Sequence, residues 1–204
     1  MICVGLVIVL LLLLCAAAAF SIRSALLSRR ESRNGEAGDC ADWYAMAYTD
    51  GLTGLMNRNA YMRKTHDLQK QGKDNVWLLL FDIDHLKTIN DTRGHISGDD
   101  MLISAANRLK EVFAADCHSV YRIGGDEFLV VSEDTEEPQV VALLLQLGEM
   151  ERKCGQFRLS KGYAKVNAGE TDAFRHAFVY ADQMLYADKN SKRTEDAPSD
   201  TASD

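Results

Sequence analysis

Residues Val120–Val131 read VYRIGGDEFLVV. Apolar, strand-forming residues lie at both ends, and Gly124, Gly125, Asp126 and Glu127 stand between them. Paired turn formers between β-rich runs signal a tight hairpin, so residues 119–132 read as two strands joined at Gly124-Gly125-Asp126. The turn carries two carboxylates. Asp is common in turns as a solvated residue, and taken alone the pair needs no further reason.

A second acidic site calls for one. Val76–Asp84, VWLLLFDID, is a continuous apolar run of strand length that ends in Asp82 and Asp84. A carboxylate that closes a buried run is unfavourable unless it meets a cation or hydrogen-bond donors. Two such strand ends side by side gather several hard oxygens around one point, which suits Mg2+ completed by water and phosphate oxygens. Without β-carbons at Gly124 and Gly125, a bulky ligand can approach the backbone and use the turn as a floor.

Outward from these two sites the chain alternates. Asn57–Gly72 has helical spacing at Tyr61, Thr65 and Leu68, after an entry turn at Thr53-Gly54. Ser97–Ala115 puts Leu102, Ala105, Ala106, Leu109, Val112 and Phe113 on one helix face, with Asp99 and Asp100 in its first turn where the dipole favours acids. Gln139–Lys153 reads as a helix, Gln156–Val166 as a strand and Ala173–Lys189 as an amphipathic helix. The order predicts an α/β (α+β) domain, a central sheet flanked by helices. Met56, Met62 and Met101 read as core or near-core fillers, and His95 as structural, since no second His or Cys stands at ligand spacing.

The 204 residues are 47% hydrophobic and 26% charged, enough for one domain with a real core plus extra segments. With 23 basic against 30 acidic residues the net charge is −7, and no basic stripe carries interleaved aromatics. No nucleic-acid partner is expected, while a single nucleotide needs only a local cationic site. Met1–Ile22 has no charged side chain, and about 20 such residues suffice to span a bilayer as a helix. It reads as a transmembrane anchor; the alternative, a signal peptide, would use the small residues at Cys15–Ala19 but lacks a basic leader. Arg23, Arg29, Arg30 and Arg33 crowd its carboxyl side and place the rest of the chain in the cytoplasm, single-pass. The five cysteines are odd in number and form no CxxC pair, as expected of a reduced compartment. Residues 23–47 read as a connector too short for a sensor domain, 48–193 as the domain, and 194–204 as a disordered tail.

The motifs fall into a known order. Asp50–Arg58 is DGLTGLMNR, Phe81–Asp99 is FDIDHLKTINDTRGHISGD, Gly124–Phe128 is GGDEF, Ser160–Ala164 is SKGYA and Ala181–Lys189 is ADQMLYADK. In sequence and spacing, residues 48–193 resemble the GGDEF domain of bacterial diguanylate cyclases. The resemblance implies a palm-like fold related to nucleotide cyclases and polymerases, with a mostly antiparallel sheet of about five strands. It implies condensation of two GTP into cyclic di-GMP with release of pyrophosphate, one GTP on each half of a homodimer. Asp82 and Asp126, with the Ile83 carbonyl, would hold Mg2+, two ions per site or Mn2+ in its place, under the triphosphate. Glu127 matches a catalytically required acid, as base or as support, on the Gly124-Gly125 turn. Asn90 and Asp99 match the guanine-reading pair, because a carboxylate accepts from both N1–H and the exocyclic amine of guanine. Lys87, Lys189 and Arg193 would contact phosphates, and the backbone at His85 and Leu86 would cap the β- and γ-phosphates. The location implied is the bacterial inner membrane.

Departures from the family pattern are few. Leu86 replaces a usual Phe, Met184 and Asp188 replace alanines, and Lys192-Arg193-Thr194 replaces a usual Gly-Arg-Asn. Many relatives carry an inhibitory R-x-x-D upstream of the hairpin, where this chain has Ala115 and His118. A catalytically silent domain that binds GTP or a protein partner is the alternative reading. The complete set Asp82, Gly124, Gly125, Asp126 and Glu127 favours the enzyme, and Asp99 disfavours an adenine dinucleotide.

Overall fold

A computed structural model describes residues 43–196; the expected anchor at 1–22, most of the connector and residues 197–204 lie outside the described residues. Strand β1 (Met56–Asn57) leads into helix α1 (Arg58–Gln71) and strand β2 (Val76–Ile83). Helices α2 (Leu86–Arg93) and α3 (His95–Val112) precede the hairpin of β3 (His118–Arg122) and β4 (Glu127–Glu133). Helix α4 (Glu137–Cys154), strand β5 (Leu159–Val166) and helix α5 (Ala173–Asp196) complete it. The sheet order is β1-β3-β4-β2-β5, with β1 parallel to β3 and the other pairings antiparallel. Among the described residues no helix is long and apolar enough to cross a membrane.

Strand β2 is central and buried along its whole length. Its alternation divides the interior in two. Trp77, Leu79, Phe81 and Ile83 join one core with α3 and α4, while Val76, Leu78 and Leu80 join the other with α1 and α5. Asp82 and Asp84 continue the second row, so the strand's own period aims both acids toward α5. Helix α1 begins where Asn57 Oδ1 accepts from the Asn59 and Ala60 amides at 2.9 and 3.2 Å, and stops at Gly72 in the left-handed region.

Two elements were not expected. Strand β1 is only two residues long, and α2 is eight residues whose polar composition hides a helical period. Helix α3 starts at His95, two residues earlier than expected, so Asp99 and Asp100 fall outside its first turn and the dipole does not explain them. Met56 and Met62 are 38% and 57% exposed, not core; the buried positions of α1 are taken by Ala60, Tyr61, Thr65 and Leu68. Met101 does pack against the first core. Helix α5 continues through Thr194 to Asp196, beyond the expected domain end.

Helix α5 lies on the sheet at Gly162, where an added Cβ would collide with the Ala181 carbonyl and the Leu185 amide. These are backbone atoms of a packed helix and cannot step aside. The expected result for Gly162→Ala is a loss of about 2 to 3 kcal/mol in chemical denaturation. Gly125→Ala, which meets nothing within 4 Å, is the control and should shift stability far less.

Candidate active site

The β2–β4 ladder sets Asp82 directly opposite Glu127, and the Ile83 amide donates to the Asp126 carbonyl at 3.3 Å. The two acidic motifs therefore meet at one end of the sheet. Asp82 and Asp126 line a cleft of about 220 Å³, together with Ile83, His85, Leu86, Lys87, Lys189 and Arg193. Glu127 does not line it. Its carboxylate lies against Gly124, where an added Cβ would push it aside, and faces a groove of about 600 Å³ between α1 and α5 that includes Arg58 and Phe178. Gly124 thus lies directly under the Glu127 side chain, while the space beside Gly125 is open.

Asp82 is 5% exposed and its carboxyl is pushed above the ordinary range. Burial is the main cause, repulsion from Asp126 and Glu127 adds to it, and the Lys189 ammonium opposes it. Lys189 Nζ stands 2.6 Å from Asp82 Oδ1, an ion pair at the edge of the cleft. Asp84 is held by Ser160 Oγ, which donates to Oδ1 at 2.5 Å, and its other oxygen faces Lys192 Nζ at 3.6 Å.

The floor of the cleft is the start of α2. His85 precedes the helix with φ 61°, and no side chain caps the first turn. Uncapped amide donors at a helix start favour an anion, and Lys87, Lys189 and Arg193 surround the same space. Asn90 packs its side-chain amide against Gly98, where a Cβ would overlap it, and Gly98 directly precedes the exposed Asp99 on α3.

Arg122 supports the turn from behind. It donates from Nε and Nη2 to the Gly125 carbonyl at 3.2 and 2.7 Å, and from Nη1 to Asp50 at 3.0 and 3.3 Å. Asp50 also accepts from the Thr53 amide and hydroxyl at 2.9 and 2.6 Å. The sequence reading missed Arg122 and Lys192. The signal for Arg122 was a cation inside an otherwise apolar strand; for Lys192 it was a lysine one helical turn beyond Lys189.

Among the described residues no three His, Cys, Asp or Glu side chains are grouped to hold a metal by themselves. The cleft lining offers three carboxylates, Asp82, Asp84 and Asp126, of which Asp84 is already engaged by Ser160 and Lys192, and the Ile83 backbone runs beside them. That hard-oxygen set fits Mg2+ or Mn2+ when phosphates and water complete the shell.

Comparison with known proteins agrees with this architecture. The family "Diguanylate cyclase, GGDEF domain" matches residues 47–195, and the chain belongs to it. It is 31% identical over 152 residues to the probable diguanylate cyclase DgcI of Escherichia coli, covering 74% of this chain and 33% of that protein. It is 33% identical over 162 residues to the diguanylate cyclase DgcP of the same organism, covering 73% and 46%. The chain thus spans between a third and a half of these relatives' length. The coiled coil and GGDEF domain of DgcB from Caulobacter crescentus, solved with c-di-GMP, superposes with a TM-score of 0.73 at 26% identity, over 84% of this chain and 95% of that one.

Because burial lifts the Asp82 carboxyl, its ionised form opposes folding, and the stability it allows is present when it is protonated and lost as pH rises through its folded value. Asp82→Asn should therefore melt above wild type at neutral pH, and the gap should close as pH falls toward about 4. Thermal denaturation across that range checks the sign; a variant less stable than wild type at neutral pH would show that the Lys189 pair outweighs burial.

Proposed function

We propose that the chain is a diguanylate cyclase, condensing two GTP into cyclic di-GMP with release of pyrophosphate. The observation that carries this reading is one cleft that holds Asp82 and Asp126 against an uncapped helix start and the cations of Lys87, Lys189 and Arg193. Carboxylates and cations in such proximity suit a metal–triphosphate, with each charge facing its opposite. Asp82, Asp126 and the Ile83 carbonyl would hold Mg2+, which when bound neutralises triphosphate charge and lowers the pKa of an attacking hydroxyl.

The protein's own groups do the positioning. The amides at the start of α2 and the three cations orient the phosphates for in-line displacement at the α-phosphorus. Asn90 and Asp99, adjacent through Gly98, read guanine at the rim. The space beside Gly125 leaves room for the reacting ends to approach. One cleft holds one GTP, so closing a ring from two requires a second copy facing the first, and a homodimer belongs to this reading. The uncharged run at 1–22 and the arginines after it support a membrane-anchored enzyme with its catalytic domain in the cytoplasm.

The test is the full-length chain incubated with GTP and Mg2+, with products separated by mass, beside parallel incubations with ATP and with both nucleotides. Cyclic di-GMP from GTP alone is expected; GTP binding without product would make the domain a silent regulator. Asp126→Ala should lower turnover by at least about a thousandfold with circular dichroism and melting nearly unchanged, since a half-exposed turn carboxylate contributes little to the core.

Feedback inhibition through the hairpin's upstream flank should be weak or absent. Ala115 has no fork of donors to offer, and burial keeps His118 below its ordinary pKa, neutral at physiological pH. Initial rates should stay within about twofold up to micromolar cyclic di-GMP. Inhibition relieved by substitutions at Ala115 or His118 would show that this flank binds product after all.

A further inference from the structure

Two of the departures from the family pattern, Asp188 and Lys192, lie one turn apart on α5 and meet. Lys192 Nζ is 2.8 Å from the Asp188 carboxylate, donates to the Leu159 carbonyl at 2.7 Å and faces Asp84 at 3.6 Å. Asp188 in turn accepts from the Lys161 amide at 2.9 Å, on the outer edge of β5. Lys192 and Asp84 are only 16% and 10% exposed at their side chains, so water screens their charges weakly. The usual Ala and Gly of the family at these positions have no side-chain groups with which to make any of these contacts.

The geometry points to a lock: the Asp188–Lys192 pair fixes the last turns of α5 to the ends of β2 and β5, and so positions Lys189 and Arg193 over the cleft for a nucleoside triphosphate. The spacing makes this effective. Acids two apart on a strand lie about 7 Å apart, and cations three apart on a helix rise about 4.5 Å, near enough for both pairs to form across a short diagonal. Lys189 then stands at Asp82 and Lys192 at Asp84, and two fixed points on one helix define its rotation as well as its depth. Arg193 follows Lys192 directly, so its direction depends on the same lock. Lys192 is a positioning residue: Asp188 and Asp84 compensate its charge, and its amine is already committed to the Leu159 carbonyl.

This inference rests on the triphosphate reading of the cleft, and the test separates the two. Full-length wild type, D188A, K192M, K192R and D188A/K192M are compared in GTP binding with Mg2+, in turnover, and in amide hydrogen exchange. Both single losses should weaken GTP binding about fivefold, and the double variant should be no worse than either single. K192R should keep most of the affinity. Exchange at residues 189–194 should speed up about tenfold in D188A and K192M while the β2 amides stay protected, a readout that needs no nucleotide. If K192M weakens binding and D188A does not, Lys192 contacts phosphate itself and the lock is overturned. Unchanged exchange in both variants overturns it too, whatever the wild type does with GTP. Faster exchange in both variants, alongside a wild type that binds GTP without forming product, would leave the lock standing and remove the cyclase reading.

Discussion

Asp82 sets a carboxyl in a row of the central strand that is otherwise apolar and buried. It follows Val76, Leu78 and Leu80 on the same side of β2, toward the core shared with α1 and α5. Burial and the neighbouring acids push its carboxyl toward the protonated form, and Lys189 pulls it back. The ammonium can be there only if α5 approaches closely, and Gly162 allows that approach. A glycine on β5 and a lysine near the end of the chain thus serve one carboxylate on β2.

The other half of the site is a turn, and turns are held less firmly than central strands. Here Arg122 joins the Gly125 carbonyl to Asp50, which is itself tied to Thr53. The opening DGLTGL stretch and the GGDEF stretch are therefore one structural unit, though some seventy residues part them along the chain. A turn pinned by a guanidinium at a carbonyl needs little further ordering when a ligand arrives, and that is what a precise catalytic constellation requires.

Much of this was legible in the sequence. The β2 run, the hairpin and α5 are marked by composition and turn chemistry, and Asp82 and Asp126 follow from an acid ending a buried run beside an acid at a turn. Strand β1 and helix α2 were not legible, because two residues have no period and eight polar ones hide theirs. The family signature placed Asp126 and Glu127 together, but side-chain direction separates them, one into the cleft and the other over Gly124. Arg122 and Lys192 escaped for a related reason. Each acts through partners far away in the chain, and no local pattern announces a contact between Arg122 and Asp50 or between Lys192 and Asp84.

Net charge was informative in one direction only. At −7 the chain repels a polyanion at long range, which agrees with the missing basic stripe. Over the few ångströms that matter to a nucleotide, the local set decides, because salt screens exposed charges beyond about 8 to 10 Å. The cleft gathers Lys87, Lys189, Lys192 and Arg193 around an uncapped helix start, against Asp82, Asp84 and Asp126. Two of the four cations are already paired with carboxylates, Lys189 with Asp82 and Lys192 with Asp84 and Asp188. The surplus that faces an incoming phosphate is therefore small and confined to one end of the sheet. A site of that kind suits a compact anion whose own charge is partly neutralised by a divalent cation better than an extended nucleic-acid backbone, so a net-acidic chain and the phosphate role proposed for the cleft are compatible.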